Sequence, residues 1–200
     1  MPATDPYVPF IVGLGGTARV GSTSERAVSV ALREAERLGA RTRLFDGTFI
    51  SSLPLYLPER HAETAAVNDF LSAARQCDGF IVATPGYHGS LSGSIKNILD
   101  ILEETHGDER PYLEGRAFGC IVTACGWQAC GTTLVALRTI AHALRAWPTP
   151  LGVTLNASAP LFESDGSCRD AVHAGQLALV ARQVVEFAQC RLRTPGLTPK

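Results

Sequence analysis

Strand and helix signals alternate along this chain from end to end, and that alternation limits its fold more than any other property. Short β-type runs are expected as strands at 9–14, 41–45, 79–84, 117–124 and 149–155. Each is followed by a segment with helical spacing: 23–38 (closed by Gly39 as a C-cap), 61–76, 92–104, 132–144 and 169–191. Strands separated by helices need right-handed crossovers, which produce a parallel sheet covered on both faces. The expected class is α/β, with five parallel strands in the order 2-1-3-4-5. Its switch point lies between the first and third strands, where the loops after Leu14 and Thr84 meet and where ligands bind such sheets.

The loop after the third strand is the more unusual of the two. Gly79-Phe80-Ile81-Val82-Ala83 reads as a buried strand, and chain direction is expected to break at Thr84-Pro85-Gly86. Tyr87-His88-Gly89-Ser90 then leads into a helix with apolar Leu91, Ile95, Ile98, Leu99 and Leu102. Few side chains would stand between such a backbone and a planar ligand.

The first loop, Gly13 to Glu25, admits three readings. Gly13, Gly15 and Ala18 match a dinucleotide fingerprint, with Asp46 ending the second strand where a ribose would sit. Gly16, Gly21, Ser22 and Thr23 approach a nucleotide P-loop, but Ser22 replaces the lysine that answers a triphosphate. The third reading starts from Ser22-Thr23-Ser24-Glu25 as a capping box, which begins the helix after Ser22, too late for the fingerprint. The extra loop then carries hydroxyls and Arg19 above a helix N-terminus, a setting suited to a terminal phosphate monoester such as that of FMN. The plain alternative is that these residues only cap a helix. Asp46 with Gly47 reads more simply as a turn than as a ribose ligand.

Composition removes several function classes. The chain has 200 residues, 46% hydrophobic and 18% charged, which suits one folded domain over 1–200, with an ordered core at about 8–193 and a disordered tail at 194–200. A net charge of -1 gives no electrostatic footprint for nucleic acid or an anionic membrane. No apolar run reaches the roughly 20 residues that span a bilayer. Met1 to Pro6 lacks a basic flank and apolar core, so a cytoplasmic location is expected. Cys77, Cys120, Cys125, Cys130, Cys168 and Cys190 form no C-x-x-C pair and are expected as free thiols, most of them buried, with no metal site.

With both loops in view, the chain resembles the NADPH-dependent FMN reductase family over roughly residues 8 to 190. This flavodoxin-like group includes two-component flavin reductases and azo-, quinone and chromate reductases. The motifs are Gly16-Thr17-Ala18-Arg19-Val20-Gly21-Ser22, the loop Thr84 to Gly93 with Lys96-Asn97-Ile98-Leu99-Asp100, and Thr123-Ala124-Cys125-Gly126-Trp127-Gln128-Ala129-Cys130-Gly131. The resemblance implies a flavodoxin-like fold and FMN and NADPH (or NADH) as cofactors. It also implies that Thr17, Arg19, Ser22 and Ser24 hold the FMN phosphate. Pro85, Gly86, Tyr87, His88, Gly89 and Ser90 would line the ring and ribityl chain, and Gly126 and Gln128 would close the site from the fourth strand. Many members carry Glu and Asn where this chain has Gly86 and His88, and Asn in place of Ser24.

Single residues have plainer readings beside these. His88 could line the site or make a local turn bond; Tyr87 and Trp127 could face a planar ligand or pack at an interface. Lys96 and Asp100 are spaced as an ion pair on a helix, and Cys125 and Cys130 fit no exchange motif. The expected activity is hydride transfer from nicotinamide to FMN with no protein catalytic residue, since the flavin carries the chemistry. Electrons would then pass to a second acceptor of quinone, azo or nitro type, or reduced FMN to a partner monooxygenase. The alternatives are a flavin-binding electron-transfer or sensor protein and, from the first loop alone, a dinucleotide dehydrogenase. Apolar residues at Leu53-Pro54-Leu55-Tyr56-Leu57 and on the helix from Ser92 are expected to support a homodimer or homotetramer.

Overall fold

A computed structural model describes residues 7–17, 19–58 and 64–193. Along the chain it places β1 (Phe10–Gly15), α1 (Thr23–Arg37), β2 (Arg41–Phe45), α2 (Gly47–Ser52) and α3 (Ala65–Gln76). There follow β3 (Gly79–Tyr87), β4 (Ser90–Leu91), α4 (Gly93–Asp100), a 3-10 turn at Ile101–Thr105 and β5 (Ala117–Ala124). The last elements are α5 (Trp127–Ala143), β6 (Trp147–Asn156) and α6 (Ala171–Arg193).

Five strands pair in parallel in the order β2-β1-β3-β5-β6, which is the expected 2-1-3-4-5 once the short antiparallel β4 is set aside. This is a flavodoxin-like α/β sheet. Side chains alternate across it with period two. Phe10, Val12, Leu14, Phe80, Val82, Phe118 and Val122 build one core. Ile11, Ile81, Ala83, Ala117 and Ile121 face the other, against α1 and α6 residues such as Val28, Leu32, Val180 and Val184. Pro148 and Pro150 are tolerated in β6 because it is an edge strand.

Several boundaries differ from expectation for identifiable reasons. β3 does not break at Thr84-Pro85-Gly86 but runs to Tyr87, because Thr84 and Pro85 still pair with Val122 and Thr123 of β5. The reversal comes at His88 (φ 52) and Gly89 (φ 84), two successive positive φ angles that let Tyr87 pair with Ser90. Helix α5 starts at Trp127 rather than Thr132, since Gly126 at φ 135 turns the chain directly out of β5. The stretch 51–58 was expected as loop, but α2 occupies 47–52, N-capped by Asp46, whose Oδ1 accepts from Phe49 N at 2.8 Å. Asp46 is therefore a cap. The helix expected from 61 begins at Ala65 with Thr64 as its cap, and 61–63 lie outside the described residues, as does the tail 194–200.

None of the six cysteines is in a disulfide. Cys77, Cys120 and Cys130 are buried, Cys168 is half-buried, and Cys125 and Cys190 are exposed, so half of them rather than most are core residues. Burial pushes the Cys77 and Cys120 thiols up to about 12, which leaves them inert.

The end of the sheet opposite the loops is held by Arg116, 1% exposed. Its guanidinium donates to Cys77 O (3.0 Å), Tyr112 O (3.0 Å) and Arg75 O (2.9 Å), joining the ends of α3 and β5. Arg116→Ala would strand the buried Cys77 carbonyl and remove the donor from two part-buried carbonyls, those of Tyr112 and Arg75. With one fully buried group left unsatisfied, the expected destabilisation is about 1–3 kcal/mol by urea unfolding. A loss under about 1 kcal/mol would show that water or neighbouring groups replace the guanidinium.

Candidate functional site

The two loops at the strand C-termini are fastened to one another by a single buried hydroxyl. Ser92, 4% exposed, N-caps α4 by accepting from Ile95 N (3.3 Å) and donates to Gly16 O (3.0 Å) in the first loop. Its own N–H donates to Thr84 Oγ1 (3.0 Å) at the end of β3. The contact depends on the absence of a side chain at Gly16: a Cβ there would lie 2.4 Å from Ala83 O and 2.8 Å from Pro85 Cδ.

The first loop is seated equally firmly on its other side. Ser22 Oγ accepts from Glu25 N (3.3 Å), the first half of the expected capping box. The second half is different: the Glu25 carboxylate accepts from Gly21 N (3.1 Å) and Gly47 N (3.3 Å), bridging the loop to the start of α2. Gly47 is needed there, since a Cβ would fall 1.7 Å from Thr17 O. Arg26 adds a clamp from Nε to Gly21 O (3.1 Å). Thr17 Oγ1 accepts from Arg19 N (3.2 Å), while the Arg19 side chain is exposed and enters no ion pair among the described residues. Ala18, part of the sequence fingerprint, lies outside the described residues.

Between these loops lies a cleft of about 300 Å³ that gathers Thr17, Arg19, Ser22 and Ser24 opposite Pro85, Gly86 and Tyr87. Thr23 and Ser24 form the first turn of α1, where N–H groups have no intrahelical acceptor and the helix dipole is positive. A second cleft of about 520 Å³ gathers His88, Gly89, Gly126 and Gln128. Both are lined by Cys125 and Ala129, so they are two halves of one depression. Eleven of the twelve residues singled out from the sequence line it. Ser90 does not: it pairs with Tyr87 in the hairpin and lies outside both linings.

Other wall residues were given no ligand role from the sequence. Thr123, Ala124 and Cys125 carry the C-terminal end of β5 into the site, which the switch-point rule could have indicated. Ala129 belongs to the third resemblance motif, while Thr132 and Ala157 are small residues without a sequence signal of their own. Asn97 belongs to a motif yet serves the scaffold, accepting from Tyr56 N (2.8 Å) and donating to Pro54 O (2.9 Å). Lys96 and Asp100 form the expected exposed ion pair at 2.6 Å.

The chain matches the family of NADPH-dependent FMN reductases over residues 9–159. The chain belongs to that family. Among curated relatives it is 25% identical to the NADPH-dependent FMN reductase ArsH of Shigella flexneri, over 88% of this chain and 68% of that protein. It is 34% identical to an NAD(P)H-dependent FMN reductase of Pseudomonas aeruginosa, over 45% of this chain and 48% of that one. A match to an NADPH azoreductase of a Bacillus strain spans only 35% of that protein, at 35% identity. Solved structures share the fold: the apo form of the NADH:FMN oxidoreductase EMOB, with TM-score 0.70 and 21% identity, covers 92% of this chain and 90% of its own. FerB of Paracoccus denitrificans gives TM-score 0.71 and 21% identity, over 92% and 98%. Membership of an FMN reductase family supports a flavin-reducing enzyme that uses FMN and NAD(P)H.

Gly86 has a physical reason in the packing of α5. At Gly86 a Cβ would lie 2.8 Å from Thr133 Oγ1, 3.1 Å from Ala124 Cβ and 3.2 Å from Ala129 O. Helix α5 packs so closely behind β3 that a side chain at position 86 would not fit without moving it. Thr133 Oγ1 is left buried in that contact with no hydrogen-bond partner.

Ser92→Ala tests how firmly the loops are joined. It removes an N-cap and a buried bond to Gly16, and the expected loss of stability is about 1–3 kcal/mol. Hydrogen exchange should quicken in the first loop as well as at the start of α4. Faster exchange in α4 alone would mean that the Gly16 contact does not hold the loop.

Proposed function

We propose that the chain is an NAD(P)H-dependent FMN reductase that seats the FMN phosphate at the N-terminus of α1 and the flavin ring beside the β3–β4 hairpin. The observation that carries this reading is the continuity of the two cleft halves through Cys125 and Ala129. One end offers an anion-type donor set; the other is walled by glycine backbone and the first turn of α5.

The residues fit such a ligand. Four hydroxyls (Thr17, Ser22, Thr23, Ser24), the Arg19 guanidinium and the first-turn N–H groups of α1 are the donors a phosphate monoester requires. At Gly89 a Cβ would meet only Thr132 Oγ1 at 3.8 Å, and at Gly126 it would meet nothing within 4 Å, so open space lies over both backbones. In this reading Pro85, Gly86, Tyr87, His88 and Gly89 line the ring and ribityl chain, with Gly126 and Gln128 opposite. His88, held at positive φ in the hairpin turn, orients the ring edge rather than moving a proton. When bound, FMN supplies the redox chemistry, taking hydride from the nicotinamide and passing electrons onward. The protein contributes orientation and fixed backbone donors.

The electron acceptor in this reading is either a small quinone, azo or nitro compound or a partner monooxygenase that takes reduced FMN. Six cysteines outside any disulfide accord with work in the cytoplasm. Leu55 (72% exposed) and Leu57 (45%) lie on the stretch that Asn97 fastens to α4, and they support assembly as a homodimer or homotetramer.

Two measurements test the reading. Anaerobic addition of NADPH to the protein with FMN should bleach the oxidised flavin, and absence of bleaching would contradict a reductase and favour a flavin-binding electron carrier. Arg19→Ala should weaken FMN binding roughly ten- to hundred-fold, the worth of one charge-assisted bond. Riboflavin, lacking the phosphate, should bind the wild type less well and both proteins equally. Equal affinity of the wild type for FMN and riboflavin would remove the phosphate from α1.

A further inference from the structure

A third cleft, of about 370 Å³, lies on the far side of Trp127 from the hairpin, lined by Trp127, Asn156, Ser158, Leu161, Arg169 and His173 among others. Trp127 bounds this cleft and the ring-side half of the main one, so the two are neighbours across a single indole. We propose that this cleft seats the adenosine end of the nicotinamide dinucleotide, with Trp127 as the adenine's stacking platform and Arg169 reading the 2′-phosphate. The inference rests on the reductase reading above and adds to it a preference for NADPH over NADH.

Trp127 is 63% exposed and stacks on no aromatic ring among the described residues, which leaves its face open to a planar partner. Asn156 Oδ1 is occupied by Ser158 N (3.1 Å) and Ser158 Oγ (2.5 Å), so the side-chain amide NH2 remains as a donor to a ring nitrogen. Arg169 is placed in advance of any ligand. Its N–H donates to Leu161 O (3.0 Å), Glu163 N donates to Ser167 O (2.8 Å), and Arg26 and Arg33 donate from α1 to Glu163 O (3.0 Å) and Gly166 O (3.2 Å).

The charges nearby are compatible with a phosphate. Glu163 pairs with the Arg169 guanidinium at 3.3 Å, but both side chains are about half exposed (52% and 48%), and such pairs are weak enough for a dianion to displace. Asp170, the carboxylate in the lining, accepts from Val172 N (2.8 Å) at the start of α6 and is thereby turned to that helix. The same helix, 23 residues long, brings its positive end to the cleft. The His173 ring lies beside it, its buried Nδ1 without a hydrogen bond and 3.9 Å from Asp170 Oδ2.

The test needs no flavin. The chain has two tryptophans, so in Trp147→Phe the indole fluorescence reports Trp127 alone. Adenosine 2′,5′-bisphosphate should quench it and bind about tenfold more tightly than 5′-AMP, the discrimination expected of one charge-assisted contact. Arg169→Gln should erase that difference, and Glu163→Gln should tighten the bisphosphate by freeing the guanidinium. In turnover, Arg169→Gln should raise KM for NADPH about tenfold without changing kcat or the KM for NADH. No quenching, equal affinity of the two nucleotides for the parent protein, or a difference that survives Arg169→Gln would overturn the proposal. Failure of the reductase reading is distinguishable: FMN would then go unreduced even while the bisphosphate bound and quenched as expected.

Discussion

One buried serine makes a site out of what would otherwise be two separate loops. Ser92 donates to Gly16 O at 3.0 Å, caps α4, and through its own N–H engages Thr84 Oγ1 at 3.0 Å. The first loop, the end of β3 and the start of α4 thus share a single hydrogen-bonded centre. Buried polar groups of this kind hold geometry because leaving any member unpaired costs more than the bond itself contributes. The α1 N-terminus and the β3–β4 hairpin consequently face each other at a fixed spacing. That spacing allows one ligand to touch both.

The same demand for close approach explains the glycines. Gly16 lies against Ala83 and Pro85, and Gly47 lets Thr17 rest on α2. Gly86 lets α5 close behind β3. At Gly89 and Gly126 the reason is different, since open space lies beside them and positive φ is what the hairpin and the strand-to-helix turn require. Two physical uses of glycine, contact and conformation, therefore alternate around one depression. The sheet end opposite is built by contrasting means, with the three carbonyls collected by Arg116 in place of a loop cluster.

The alternation of strand and helix patterns was enough to read the sheet order, because crossovers leave few topologies open to five such units. Nine of the eleven cleft-lining residues lie in the two conspicuous loops that had to meet at the switch point, while Gly126 and Gln128, after the next strand, came from the family resemblance. What stayed hidden depended on pairing across distance. Pro85 and Gly86 look like a break in sequence, yet β5 carries the strand through them to Tyr87. Gly131 and the small residues before it concealed five residues of α5, whose start is set by Gly126. Glu25 read as half of a capping box, but its carboxylate crosses to Gly47, a partner 22 residues away. Ser90 came with the resemblance as a ring-lining residue, whereas it pairs with Tyr87 in the hairpin and lies outside both cleft linings.

The central claim, that the two loops form one flavin seat, is tested most directly by a crystal structure of the protein with FMN. The account predicts the phosphate at the first turn of α1, within hydrogen-bond reach of Thr23 and Ser24 N–H groups and the Arg19 guanidinium. It predicts the ring against the 86–89 hairpin, with Cys125 to Gln128 on its other border. A flavin whose phosphate lies away from α1, or whose ring is seated elsewhere on the sheet, would contradict it.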